Sequence, residues 1–387
     1  MRFTWPTYSV KKGDTLESVA KELGIRVETL KWHHNNYRTY ENLLNHDITH
    51  QKELIIPNDT EKEQTSINSN TLQKQKNVNF SSNNGLFYNP INTFCKYGIM
   101  ITIKEEEEEN EIKYETTVKW VQKFENCHIF EINPVGKPFV NQEEINNIAD
   151  TLAYETAKVL YPMHLMVDEK GNWEQVAKCT VYPKRWKIIK NNILQNFEGN
   201  MVAEYFQEIE NILENPERIN TYMLDDYFLR TLFLGYCFEY GKEFQTEKKI
   251  TFPILNNYTE PSYKVQAAIN PYLNESNFIH ITYEGILHDP RTKNEFINEQ
   301  HYSFIQNEEE EKASGHFFLK AFLDPNTAVP DSIYLECSIS LNKTKKITVL
   351  ISDISNKETP YVHKSSNLLV DENTTNNKKK GFWGNLF

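Results

Sequence analysis

The chain has 387 residues, a hydrophobic content of 39%, and 54 acidic side chains against 42 Lys and Arg, for a formal net charge of −12. That length leaves room for two or three domains with a sizeable core. The acidic balance tells against a nucleic-acid or anionic-membrane surface for the molecule as a whole, because both need a basic face. Cys95, Cys127, Cys179, Cys237 and Cys337 are odd in number, widely scattered and without a C-x-x-C pair. They are read as buried reduced thiols rather than a disulfide framework or zinc site. The opening Met1-Arg2-Phe3-Thr4-Trp5-Pro6 leaves no room for an apolar signal-peptide core, and no later run is long enough to span a bilayer.

Residues 8–57 predict a compact unit of their own. A short β run from Tyr8 stops at Gly13. Asp14 is placed to cap a helix, with Glu17 three residues on completing a capping box. Leu16, Val19, Ala20 and Leu23 then recur with helical spacing, and Gly24 ends that helix. Val27 and Leu30 give a second helix an apolar face running to Asn35 and Asn36, and Leu54-Ile55-Ile56 before Pro57 reads as a returning strand. The predicted order is β-α-α-β.

The run Tyr8-Ser9-Val10-Lys11-Lys12-Gly13-Asp14-Thr15-Leu16, closed by Leu54-Ile55-Ile56-Pro57, resembles the lysin motif, LysM. The resemblance implies non-catalytic binding of N-acetylglucosamine-containing glycans such as peptidoglycan or chitin. It implies a shallow groove with Gly13, Asp14, Thr15 and Leu16 on one side and Asn35, Asn36, Ile56 and Pro57 on the other. A loop at a helix start offers backbone N–H groups to acetamide and hydroxyl oxygens, in keeping with that geometry. The second wall departs from the family pattern: Thr49-His50-Gln51-Lys52-Glu53 stands where Pro-Gly-Gln is customary.

Residues 58–84 are almost wholly polar, too poor in apolar surface to offset the entropy of ordering, and read as a linker within a boundary of 61–85. Beyond it, Ile99, Ile101 and Ile103, then Ile112, Tyr114, Thr116, Val118 and Trp120, alternate as a half-buried antiparallel pair around the acidic tip at residues 105–109. Residues 127–132 supply a third strand that Pro134 ends. Asn141 and Glu144 are placed to start a helix carrying Ile145, Ile148, Ala149 and Leu152, and residues 163–173 form a hairpin candidate. A helical block follows. Trp186, Ile189, Ile193 and Phe197 line one helix; Val202, Tyr205, Phe206, Ile209 and Leu213 line the next; residues 227–238 form a buried third. From Ile250 the alternation returns in five runs, three of them closed by Asn270-Pro271, Asp289-Pro290 and Asp324-Pro325. With no helical crossover between them, these runs make an antiparallel meander. The expected class is α+β: a LysM domain at 1–60, the linker, one α+β domain at 86–355 with a curved, mostly antiparallel sheet and a helical block, and a flexible tail at 356–387.

Motifs for chemistry are sparse. His46 and His50 have i, i+4 spacing and His33 and His34 lie nearby, but no Glu-x-x-His signature accompanies them, so no metal is assigned. A Gly-x-Ser-x-Gly elbow and a Gly-rich phosphate loop are both missing. His128 and His164 are potential catalytic groups without nominated partners, and the 22 Phe and 21 Tyr read as core. No cofactor is expected.

The leading expectation is a non-enzymatic glycan-binding protein that anchors or delivers its larger domain at the cell wall. The rival is a structural baseplate or tip component of a contractile injection system, and third is a wall enzyme with an unrecognised catalytic domain. At the C-terminus, Lys378-Lys379-Lys380 precedes Phe382, Trp383, Leu386 and Phe387. That apolar end predicts docking to a protein partner.

Overall fold

The structure, a computed structural model, describes residues 7–25, 27–36, 44, 48, 51–56, 76–255, 259–274, 276–301 and 311–355. At the N-terminus, β1 (Thr7–Ser9) pairs antiparallel with β2 (Glu53–Ile55), Tyr8 standing opposite Leu54. Between them run α1 (Leu16–Leu23) and α2 (Val27–Asn36). Leu16, Val19, Ala20, Leu30, Leu44, Ile48 and Leu54 close a small core of their own. The β-α-α-β order is that predicted, but the cap of α1 is not. Thr15, not Asp14, is the N-cap; its hydroxyl accepts from the Ser18 amide at 3.1 Å while the Thr15 amide donates to Ser18 Oγ at 2.9 Å. Gly24 ends α1 at φ 68, a left-handed position that costs glycine nothing.

The rest of the described chain is organised by a twelve-stranded antiparallel sheet. Its strands are β3 (Phe94–Glu105), β4 (Glu108–Phe124), β5 (Cys127–Val140), β6 (Glu143–Glu144), β7 (Met163–Asp168), β8 (Trp173–Ala177), β9 (Gln245–Thr251), β10 (Ser262–Ile269), β11 (Ile279–Leu287), β12 (Ser314–Leu323), β13 (Pro330–Ser340) and β14 (Thr344–Asp353). They lie in the order β8-β7-β5-β4-β3-β14-β13-β12-β11-β10-β9, with β6 on β5. The last strand therefore joins the first: β14 pairs with β3, Ile351 opposite Ile99 and Val349 opposite Ile101. Period-two alternation puts these residues, Ile333 and Leu335 of β13 and Leu319 and Ala321 of β12 on one inner face.

Helices α3 (Ile148–Ala157), α4 (Tyr182–Ile193), α5 (Asn200–Leu213), α6 (Pro216–Met223), α7 (Tyr227–Leu232) and α8 (Lys293–Ile297) complete the body. The short α7 packs on β3, β13 and β14, and Phe228, Trp186 and Phe206 share one continuous core with Ile99, Leu335 and Tyr263.

Several predicted boundaries are corrected. Pro134 does not end its strand: β5 runs on to Val140 with Pro134 opposite Thr116, and β7 has left the other edge by Ile132, so no ladder donor is missing there. Asn141 and Glu144 do not start a helix; Asn141 sits in a turn at φ 51, Glu144 pairs in β6, and α3 begins after its cap Asn147. Residues 227–238 are not one helix, since α7 stops at Leu232 and Gly235 takes φ 77, where an added Cβ would meet Asn172 Oδ1 at 1.8 Å. Residues 76–85, counted with the linker by composition, belong to the body: the Val78 amide bonds to Pro271 O at 2.9 Å, Val78 is buried, and Asn77 and Gly85 bridge to Tyr272 and Glu239. The three proline-closed turns share one device, an Asx turn in which Asn270, Asp289 and Asp324 each accept the amide two residues on.

Candidate functional site

The loop from β1 to α1 is a tight turn made by local chemistry. The Asp14 amide returns to Lys11 O at 3.0 Å, and Gly13 takes φ 93 at the third position, as a type II turn demands. Asp14 spends its carboxylate on this turn. Its Oδ2 accepts from the Lys11 amide at 2.8 Å and lies 3.1 Å from the Tyr8 hydroxyl, which is also 2.9 Å from Glu22 Oε2. Gly13 and Thr15 are exposed, Asp14 is half-buried, and an added Cβ on Gly13 would meet nothing within 4 Å. An open, rigid rim results, and Leu16 forms its buried floor at 0% exposure.

On the opposite side, the structure gives the predicted residues different tasks. Asn35 is buried, and its amide grips the backbone of Leu44: Oδ1 accepts the Leu44 amide at 2.6 Å and Nδ2 donates to Leu44 O at 3.2 Å. Asn36 is the last residue of α2. Ile56 is half-buried against the small core, and Pro57 lies outside the described residues. Two neighbouring histidines prove structural. His34 Nδ1 accepts the Ile55 amide at 2.9 Å, tying α2 to β2, and His33 is 2% exposed. Burial first, and Lys320 second, lower the His33 pKa to about 4.

The small unit does not stand clear of the body: α2 lies against β14. The outer face there is apolar at its centre, where Met100, Leu350, Tyr334 and Phe322 are all buried. Glu111, Thr102, Thr348 and Glu336 form the adjoining row across β4, β3, β14 and β13. Lys31 of α2 is 5% exposed and lies in the field of Glu111, Glu109, Glu336 and Lys346, with burial lowering its pKa to about 8.

His128 and His164 have packing roles. His128 accepts the Trp120 indole N–H at 3.1 Å and meets Tyr88 edge-on, with burial lowering its pKa. His164 lies 3.5 Å from Glu131, and burial outweighs that carboxylate in setting its pKa below the usual value. Among the described residues no group of His, Cys, Asp and Glu is placed to hold a metal ion, and no helix is long and apolar enough to cross a membrane. His46, His50 and the tail residues Phe382, Trp383, Leu386 and Phe387 lie outside the described residues.

Residues 8–32 match the LysM domain family. This match contains the Lys11–Leu16 rim and most of α2 and stops before Asn35. It points to glycan binding as the role of the N-terminal unit. No curated protein matches the chain.

Proposed function

We propose that the chain is a glycan-binding protein of LysM type, whose N-terminal module holds an N-acetylglucosamine-containing polymer and brings the α+β body to it. The carrying observation is the rim itself: a type II turn at Gly13 and a capped helix start at Thr15, inside the matched stretch and open to solvent. Sugar recognition needs fixed polar groups on a rigid, shallow surface, because each hydroxyl-rich ring gains little from burial and much from oriented partners. Gly13, Asp14, Thr15 and Leu16 form one wall of the proposed groove, with the α2–β2 connection from Asn35 and Asn36 to Ile56 and Pro57 as the other. Asn35 and Leu16 act in this reading by shaping the walls from within, not by touching sugar.

In this reading the body is the delivered or displayed part, and the apolar tail from Phe382 to Phe387 docks to a protein partner. The test is pull-down of the full chain by insoluble peptidoglycan or chitin. Wild type is expected to sediment with the polymer, Thr15→Ser to match it, and Thr15→Trp, which fills the groove, to remain in the supernatant. Equal sedimentation of Thr15→Trp, or none by wild type, overturns the assignment.

A further inference from the structure

The charges around the rim are not evenly satisfied. Lys11 Nζ stands 3.3 Å from Glu22 Oε1 and 5.3 Å from the centre of the Tyr8 ring, so its charge is taken. Asp14 is occupied as well, by the Lys11 amide at 2.8 Å and the Tyr8 hydroxyl at 3.1 Å. Lys12 is different. It sits at the corner of the Lys11–Asp14 turn, next to Gly13, and is exposed. Lys52 reaches the same end of the module from the α2–β2 connection: its carbonyl accepts the Val10 amide at 3.0 Å, one residue before β2 begins, and it too is exposed. Among the described residues neither ammonium has a carboxylate partner. Lys52 belongs to residues 49–53, the stretch that replaces the customary Pro-Gly-Gln, so one of the two cations stands where this chain departs from the family pattern.

The distribution of charge along the chain sharpens the contrast. Residues 1–57 hold eight Lys and Arg against seven Asp and Glu, which leaves the whole acidic excess behind the net charge of −12 to residues 58–387. An anionic polymer is therefore repelled by the body as a whole and meets two unpaired cations at the rim. An uncharged polymer feels neither effect.

We propose that Lys12 and Lys52 are specificity-determining residues, which bind carboxylates carried on the glycan and so select acidic N-acetylglucosamine polymers over uncharged ones. The proposal rests on the rim being the sugar site. Under it the sugar ring is held by the fixed groups of the rim, and the lysines add contacts that only a charged strand can make. Each exposed lysine–carboxylate pair is worth roughly two- to fivefold in affinity, and two together favour the acidic strand by about tenfold. Both pairs lie in water, so salt screens them and the preference fades as ionic strength rises.

Titration of the full chain with two soluble tetrasaccharides tests the selection: the N-acetylglucosamine tetramer, and a tetramer in which N-acetylglucosamine alternates with N-acetylmuramic acid. Wild type is expected to bind the acidic tetramer about tenfold more tightly at about 20 mM salt and nearly equally at about 500 mM. The paired variant Lys12→Gln with Lys52→Gln is expected to bind both alike, with its affinity for the neutral tetramer unchanged. Both side chains are exposed, so the module keeps its fold. Lys21→Gln, which removes the same charge from the last turn of α1, is expected to keep the preference. Equal affinity of wild type for the two tetramers overturns the selection and leaves the rim as a sugar site. So does a full preference in the paired variant, an equal loss in Lys21→Gln, or loss of both tetramers by the paired variant. Failure of wild type to bind either tetramer overturns the sugar site itself, and the selection with it.

Discussion

Asn35 shows how a residue that resembles a ligand contact can serve the wall behind it. Both ends of its amide are bonded to Leu44, and the side chain is 2% exposed, so Asn35→Ala leaves a buried N–H and C=O without partners. We expect a loss of about 2 kcal/mol in module stability, since each unsatisfied buried group costs about 1–3 kcal/mol and relaxation recovers part of it. His34→Ala, which strips the Ile55 amide of its acceptor, is expected to cost a similar amount. Amide hydrogen exchange at Leu44 and Ile55 checks both: the altered site should lose protection first, and unchanged protection in either variant contradicts a bracing role for that side chain. At this scale Gly13 is legible in the sequence, because a turn with φ above zero leaves few other choices. The cap is not, because Asp14 and Thr15 are both good caps and only the Tyr8 and Lys11 contacts of Asp14 decide between them.

Element by element, the strands of the second half and the two helices carrying Trp186 and Phe206 are plain in the sequence, whereas the start of α3 and the extent of α7 are not. Alternation in β10–β14 survives because each has one face on the common core, and the Asx-Pro turns mark their ends. At the centre of the sheet that signal blurs: residues 98–102 are all buried, Ile99 and Ile101 in the main core and Met100 in a separate cluster on the outer face. The helix predicted to run from 227 breaks at Leu232 because Gly235 must pass within reach of Asn172, a contact between distant segments. The same kind of approach makes a sharp prediction in β11. An added Cβ at Gly285 would stand 2.1 Å from Lys264 O and 2.6 Å from Val265 Cα, so β10 and β11 have no room for it without separating. Gly285→Ala is expected to lower stability by about 2–4 kcal/mol, at the upper end for a point substitution. A melting temperature indistinguishable from that of wild type would show that the pair spreads at little cost.

Taken as a whole, the molecule joins its two ends through one sheet, since β14 closes on β3 and a single core runs from Val78 to Ile351. That arrangement predicts one cooperative unfolding transition for the body, with limited proteolysis cutting first within residues 57–75, the stretch whose composition is least able to bury itself. Early cuts at residues 196–200 or 256–259 that leave separately stable halves would contradict it. Two units and their antiparallel character are legible in the sequence. The seat of α2 against β14 is not, because it is a contact between segments distant in the chain. Glycan binding rests most directly on the rim at Lys11–Leu16, and titrating the isotopically labelled full chain with an N-acetylglucosamine oligomer probes that rim amide by amide. Saturable shifts of the Lys11, Gly13, Thr15 and Leu16 amides, absent in Thr15→Trp, are the predicted result, and unshifted rim amides at millimolar sugar would contradict it.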